Sequence, residues 1–172
     1  MNKKRLLWVL LVLALAAIVV VLAVDSWGGI DRSATSILRN GTRAEVFRVS
    51  PKYSPERTDG TIGGYPIIAT GAELGPEFIA RLANVLRRWG VSKGSKKCTF
   101  EPGVAFRVWY GDRALDVLLC FECDELWTHV VADTGTSDDV LDFAPARADL
   151  VTLVKEAFPD NAKIQALPAI HP

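Results

Sequence analysis

Three cysteines and one interior histidine, Cys98, Cys120, Cys123 and His129, are the side chains of this 172-residue chain whose types and spacing suit covalent or metal chemistry. Cys120 and Cys123 close the apolar run DVLLCFEC, giving the C-x-x-C spacing shared by redox motifs and zinc knuckles. A redox pair needs a helix amino terminus behind it, where unpaired amides lower the thiol pKa. Here Asp124 and Glu125 follow, and the β-rich LWTHVV after them does not read as a helix. In a strand, side chains alternate between faces, so Cys120 and Cys123 point to opposite sides unless the strand ends or bulges between them.

That leaves a cross-link or a metal. The hairpin register derived below sets Cys98 diagonally across from Cys123 on one face, and the Pro102-Gly103 step can bulge to bring them together. A structural Cys98–Cys123 disulfide is therefore the expectation, as suits an oxidising compartment, and pairing of Cys98 with Cys120 is the alternative. Zinc held by Cys98, Cys120, Cys123 and His129 would have three thiolates and one imidazole, but only one knuckle is present and it lies on a strand. His129 alone reads as a half-buried polar residue of an alternating strand. There is no nucleophile elbow, phosphate loop, H-E-x-x-H or glycine-rich dinucleotide fingerprint, and the other histidine, His171, is one residue from the end. No catalytic residue and no cofactor is implied.

The elements that would position these groups follow from periodicity. VAFRVWY (104–110) and ALDVLLCFEC (114–123) flank Gly111-Asp112, a two-residue hairpin turn that pairs Phe106 with Val117 and Val104 with Leu119. Val104, Phe106, Val108, Leu115, Val117, Leu119 and Phe121 then share one face, and the other carries Arg107, Asp116 and Glu122 among Trp109 and Leu118. LWTHVVAD (126–133) is a further strand, as are AEVFRVS (44–50) and GGYPIIAT (63–70), in which Pro66 marks an edge or a strand start. PEFIARLANVLRRW (76–89) is the clearest helix, with Phe78, Leu82, Val85, Leu86 and Trp89 on one face. ARADLVTLVKEAF (146–158) repeats the pattern with Leu150, Leu153, Val154, Ala157 and Phe158. The expected order is β-β-α-β-β-β-α: an α+β domain of two layers, an antiparallel sheet of about five strands with two helices on one face.

Before that domain, LLWVLLVLALAAIVVVLAV (6–24) is an uncharged apolar run which, at about 1.5 Å per residue, nearly spans a hydrocarbon core of about 30 Å. Lys3, Lys4 and Arg5 precede it and Asp25 and Asp31 follow. The positive-inside bias then leaves the amino terminus in the cytoplasm and the remainder outside. A cleavable signal peptide, with Val21, Leu22 and Ala23 as the processing site, is the competing reading and would make the protein secreted; the run is longer than usual for one. The expected divisions are a transmembrane anchor at 1–24, a stalk at 25–41 with a short helix near Ser33 to Leu38, the α+β domain at 42–167 and a tail at 168–172.

Lysine plus arginine and aspartate plus glutamate number 20 each, for a formal net charge of zero, which argues against nucleic-acid binding. Charge is nonetheless segregated. Arg81 to Lys97 carries only basic groups and Glu122 to Asp142 only acidic ones. Separate solvated faces, two segments facing each other, or a partner surface would each account for this. Arg87, Arg88, Lys96, Lys97, Asp138 and Asp139 are the candidate interaction residues. The acidic loop DTGTSDDVLD lacks the ligand alternation of a calcium loop.

CTFEPGVAFRVWYGDRALDVLLCFECDELW and LVTLVKEAFPDNAKIQAL resemble a group of small uncharacterised bacterial proteins, many with an amino-terminal apolar segment and a variable stalk. The likeness covers roughly residues 60–167, is most specific at FEPGVAFR and DVLLCFEC, and implies no catalytic residue or ligand. The functional expectation therefore rests on the residues: a membrane-anchored extracytoplasmic module, not an enzyme, that binds a protein or envelope component through a sheet edge or its charged faces. The alternative is a thiol or metal protein using Cys98, Cys120, Cys123 and His129.

Overall fold

At the centre of the computed structural model is a hairpin of Val104–Tyr110 (β5) and Arg113–Cys120 (β6), paired Phe106 to Val117 and Val104 to Leu119 as the alternation of its residues requires. The structure describes residues 8, 11–13, 30–54, 60–88, 92–93, 96–131 and 139–170. Arg43–Val49 (β1) pairs with β5, and Glu125–Val131 (β7) with β6. Tyr65–Thr70 (β3) extends the sheet beyond β1; Asp139–Asp142 (β8) and Ser92–Lys93 (β4) extend it beyond β7. These seven strands form one antiparallel half-barrel. A two-residue strand, Thr61–Ile62 (β2), pairs with β3 and completes the order β2-β3-β1-β5-β6-β7-β8-β4.

The five-stranded, two-layer sandwich with a transmembrane helix is thus corrected. The described sheet is larger, because three short strands escape periodicity. Gly63 and Gly64 have φ of +58° and +83° and form the turn of a β2–β3 hairpin, so they do not belong to the following strand. β8 lies in the acidic stretch that reads as a loop, and β4 has only two residues. No described helix is long and apolar enough to cross a membrane, and of residues 6–24 only Trp8 and Leu11 to Leu13 are described.

Three helices pack on one face of the sheet: Arg32–Asn40 (α1), Pro76–Arg88 (α2) and Arg147–Ala157 (α3), with a short turn of helix, Ala162–Gln165 (α4), beside α3. Ala34, Ile37 and Leu38 of α1, Phe78, Ile79, Leu82 and Leu86 of α2, and Leu150, Val151 and Val154 of α3 join the hairpin's Val104, Phe106, Val108, Leu115, Val117 and Leu119 in one buried cluster. α1 occupies the segment expected to be a stalk. Its apolar residues recur at helical spacing, and Asp31 caps it by accepting from the Ser33 amide at 2.7 Å.

The opposite face is also covered in part. Phe47, Val49, Ile62, Tyr65, Ala105 and Leu118 form a second, smaller cluster there, flanked by Ile67, Phe100 and Trp127. The β2–β3 hairpin folds across it so closely that a Cβ at Gly63 would stand 2.3 Å from the Trp127 ring.

The turn between β6 and β7 is held from the helix side. Asp124, at φ +54°, forms a buried ion pair with Arg147 of α3, whose guanidinium also donates to the carbonyls of Phe121 at 2.7 Å and Pro168 at 3.1 Å. These added acceptors offset part of the cost of burying the pair.

Candidate binding face of the sheet

On the face away from the helices, the registers of four neighbouring strands set Glu45, Arg107, Asp116 and His129 in one line across β1, β5, β6 and β7. Arg107 donates from Nε to Asp116 Oδ1 at 2.7 Å and from Nη2 to Oδ2 at 2.8 Å, the parallel fork that guanidinium and carboxylate planes favour. Asp116 is 1% exposed. The hydrogen bond to Asp116, and then the charges of Asp116 and Glu45, raise the Arg107 pKa against the opposing effect of burial.

Aromatic rings frame this line. The Trp109 indole donates from Nε1 to Glu45 Oε2 at 2.7 Å, and the Arg43 and Arg107 guanidinium carbons lie 5.0 and 6.0 Å from its ring centre. Trp127 stacks on His129 with ring centres 5.5 Å apart and planes 16° from parallel. Next to the polar line runs an apolar one, Phe47, Ala105, Leu118 and Trp127. This second line is roofed by the β2–β3 hairpin and by an edge-on aromatic chain of Tyr53, Tyr65 and Phe100. One half of the face is therefore closed. The half around Trp109, Arg107, Glu45 and Val131 stays partly open to solvent.

Chemically, the open half can recognise more readily than it can react. Asp116 is buried beneath Arg107 and holds it by both oxygens, so a solvent-borne group does not reach it as a base. Charges fixed by each other and by indole rings present a rigid pattern of donors and acceptors at little entropic cost.

The cysteines lie outside the open half, Cys120 being on the β6 face of Asp116 and Leu118 at its closed end. Cys98 and Cys123 are joined by a disulfide with Cα atoms 5.9 Å apart, the expected pair, and Cys120 is a free thiol buried at 0% exposure. The zinc reading does not hold, because the bond consumes two of its three thiolates. Among the described residues no group of three His, Cys, Asp or Glu side chains is placed to hold a metal ion.

The six candidate interaction residues are not gathered into one surface. Lys96 Nζ pairs with Asp142 at 3.0 Å and its amide donates to Glu125, so the basic and acidic segments meet at this point. Arg87 donates to Asn84 at 3.3 Å on the outer side of α2, and Lys97 is exposed beside the disulfide. Arg88 ends α2 and Asp139 begins β8, with side chains outside the described residues, as is the whole of Asp138.

Sequence reasoning already set Arg107, Asp116 and Trp109 on one face of the hairpin. It missed Glu45 and the alignment with His129, since these depend on which strands flank the hairpin and in what register. Comparison with protein-family models, with curated proteins and with solved structures finds no match.

Proposed function

We propose that the protein is an extracytoplasmic binding module, attached to the membrane through residues 6–24, that engages a protein or envelope component with the half-open sheet face around Trp109 and Arg107. The observation that carries this reading is the Glu45–Arg107–Asp116–His129 line, in which charge is fixed in place and framed by tryptophans. Tryptophan and arginine are the residues in which interface energy concentrates. The Cys98–Cys123 disulfide supports an oxidising compartment. Binding by strand addition has little support, since the outermost strands of the described sheet, β2 and β4, have two residues each.

The thiol-enzyme alternative loses its nucleophile, because the free thiol, Cys120, is fully buried. The test is site-specific photo-crosslinking in intact cells, with a benzophenone amino acid at Val131 on the proposed face and at Thr152 on the outer side of α3. A discrete adduct from position 131 and none from 152 is expected. Adducts from both sites alike, or from neither, would reject the face.

A further inference from the structure

The two segments joined by the disulfide are anchored very unequally. Cys123 lies in the turn that Arg147 holds through Asp124 and the Phe121 carbonyl, and the Phe143 amide donates to the Asp124 carbonyl at 2.8 Å. Cys98 lies in a strap that runs from Lys96, paired with Glu125 and Asp142, to Gly103, whose amide donates to the Leu119 carbonyl at 3.1 Å. Between those points, from Lys97 to Pro102, no backbone–backbone hydrogen bond ties the strap to another described residue. Its attachments are the disulfide, the buried Pro102 and the half-buried Phe100. A segment with no ladder and few buried side chains opens locally at low cost once a covalent tie is gone.

Beneath the strap lies the free thiol. Phe100 packs edge-on against Tyr65 with ring centres 6.2 Å apart, and both belong to the cluster over Leu118. The Tyr65 phenol is close enough to Cys120 to feel its charge, and Cys120, on the Leu118 side of β6, is fully buried. The two sulfurs of the bond also differ in access. Cys98 is exposed and Cys123 is 4% exposed. A thiolate approaching along the S–S axis therefore meets Cys98 Sγ, and Cys123 Sγ is the one to leave. Exposed disulfides are the labile and regulatory ones.

We infer that the Cys98–Cys123 disulfide is a redox latch on this strap, opened by a dithiol protein of the thioredoxin kind. The reductant's thiolate bonds to Cys98 Sγ as the bond to Cys123 breaks, and Cys123 leaves as a thiolate that takes up a proton. The reductant's second thiol, giving up its proton, attacks the mixed disulfide, and Cys98 leaves and is protonated. Two electrons have then passed to the chain, and the reductant is left as its own disulfide. With the latch open the strap lifts and recloses while Cys123 stays in its pinned turn, and Cys120 becomes reachable from solvent. This goes beyond binding at the open half of the sheet face and does not rest on it.

The test uses the full chain in detergent micelles without denaturant, with thioredoxin as reductant and iodoacetamide labelling read residue by residue in a mass spectrometer. A thioredoxin whose second active-site cysteine is replaced by serine should be trapped on Cys98. Trapping on Cys123, or a bond that the folded chain never yields, overturns the latch. After reduction Cys120 should alkylate at least about tenfold faster than in the oxidised chain, at a rate that low urea leaves unchanged, as local opening requires. A rate that reduction does not change overturns the release of the strap. So does a rate that climbs with urea along the global unfolding transition, because the whole domain then opens instead. Phe100→Ala in the oxidised chain keeps the bond and removes part of the roof, and it should also speed labelling of Cys120; unchanged protection would show that the strap does not cover the thiol.

Discussion

Arg107 grips Asp116 across adjacent strands through two hydrogen bonds of 2.7 and 2.8 Å, with the carboxylate 1% exposed and the guanidinium reaching toward solvent. The two do not contribute symmetrically. Arg107→Ala leaves a charge buried with no counterpart and should cost about 3–5 kcal/mol. Replacing both residues together with Leu and Val should recover most of that loss, as apolar substitution of buried pairs does. Urea titrations of the single and double variants decide between this and a face whose charges are independent, for which the losses would add.

Cys98→Ser and Cys123→Ser should destabilise equally, by about 3–4 kcal/mol for a loop of sequence separation 25, and the double variant no further. Cys120→Ser acts through a different cause. It puts a hydroxyl into a fully buried apolar site and should cost about 1–3 kcal/mol with or without reductant. Wild-type stability that ignores reductant would remove the cross-link from the account.

Phe106→Ala and Leu119→Ala, both at 0% exposure in the main cluster, should cost about 2–5 kcal/mol each. Arg87→Ala, exposed on α2, should cost less than about 1 kcal/mol. Gly63→Ala should resemble the core variants although it adds an atom, because the new Cβ would meet Trp127 and the residue sits at φ +58°. Equal losses from all four would contradict this layering.

Tyr65 gives the pH dependence. Burial first, then the charges of Tyr53 and Cys120, raise its phenol above the ordinary value of 10.0. Below that value the phenol is neutral in both folded and unfolded chains and stability is intact. Above it the unfolded chain releases a proton that the folded one keeps, so stability falls from about pH 10 up to the raised value. Tyr65→Phe should flatten this alkaline decline in denaturation midpoints measured at successive pH values. A decline of the same slope in the variant would assign it to other groups.

The parts of the fold that the sequence disclosed are those with local, strongly alternating or strongly periodic residues. The β5–β6 register follows from Val104 to Leu119 alone, and it led to the Cys98–Cys123 pair. The Phe78 and Leu150 helices follow from their apolar stripes. The short helix expected near Ser33 to Leu38 is α1, but the glycine, serine and charge around it suggested a stalk, whereas Ala34, Ile37 and Leu38 are buried in the core. β8 was hidden because its run has just two apolar residues, of which Leu141 is buried and Val140 is 38% exposed. The Glu45-to-His129 line was not legible, since it exists only once β1 and β7 are laid beside the hairpin, and no local pattern dictates that pairing.

Chain synthesis gives the placement of α1 a final consequence. The helix is made first among the described core elements, yet the strands it covers, β5, β6 and β7, are made much later. Until Tyr110 has been added, Ile37 and Leu38 have none of the strands they cover to bury them, and β1 has no β5 to pair with. A nascent chain stalled before that point exposes an apolar helix face and an unpaired strand at once, the surfaces that aggregate or recruit a holdase.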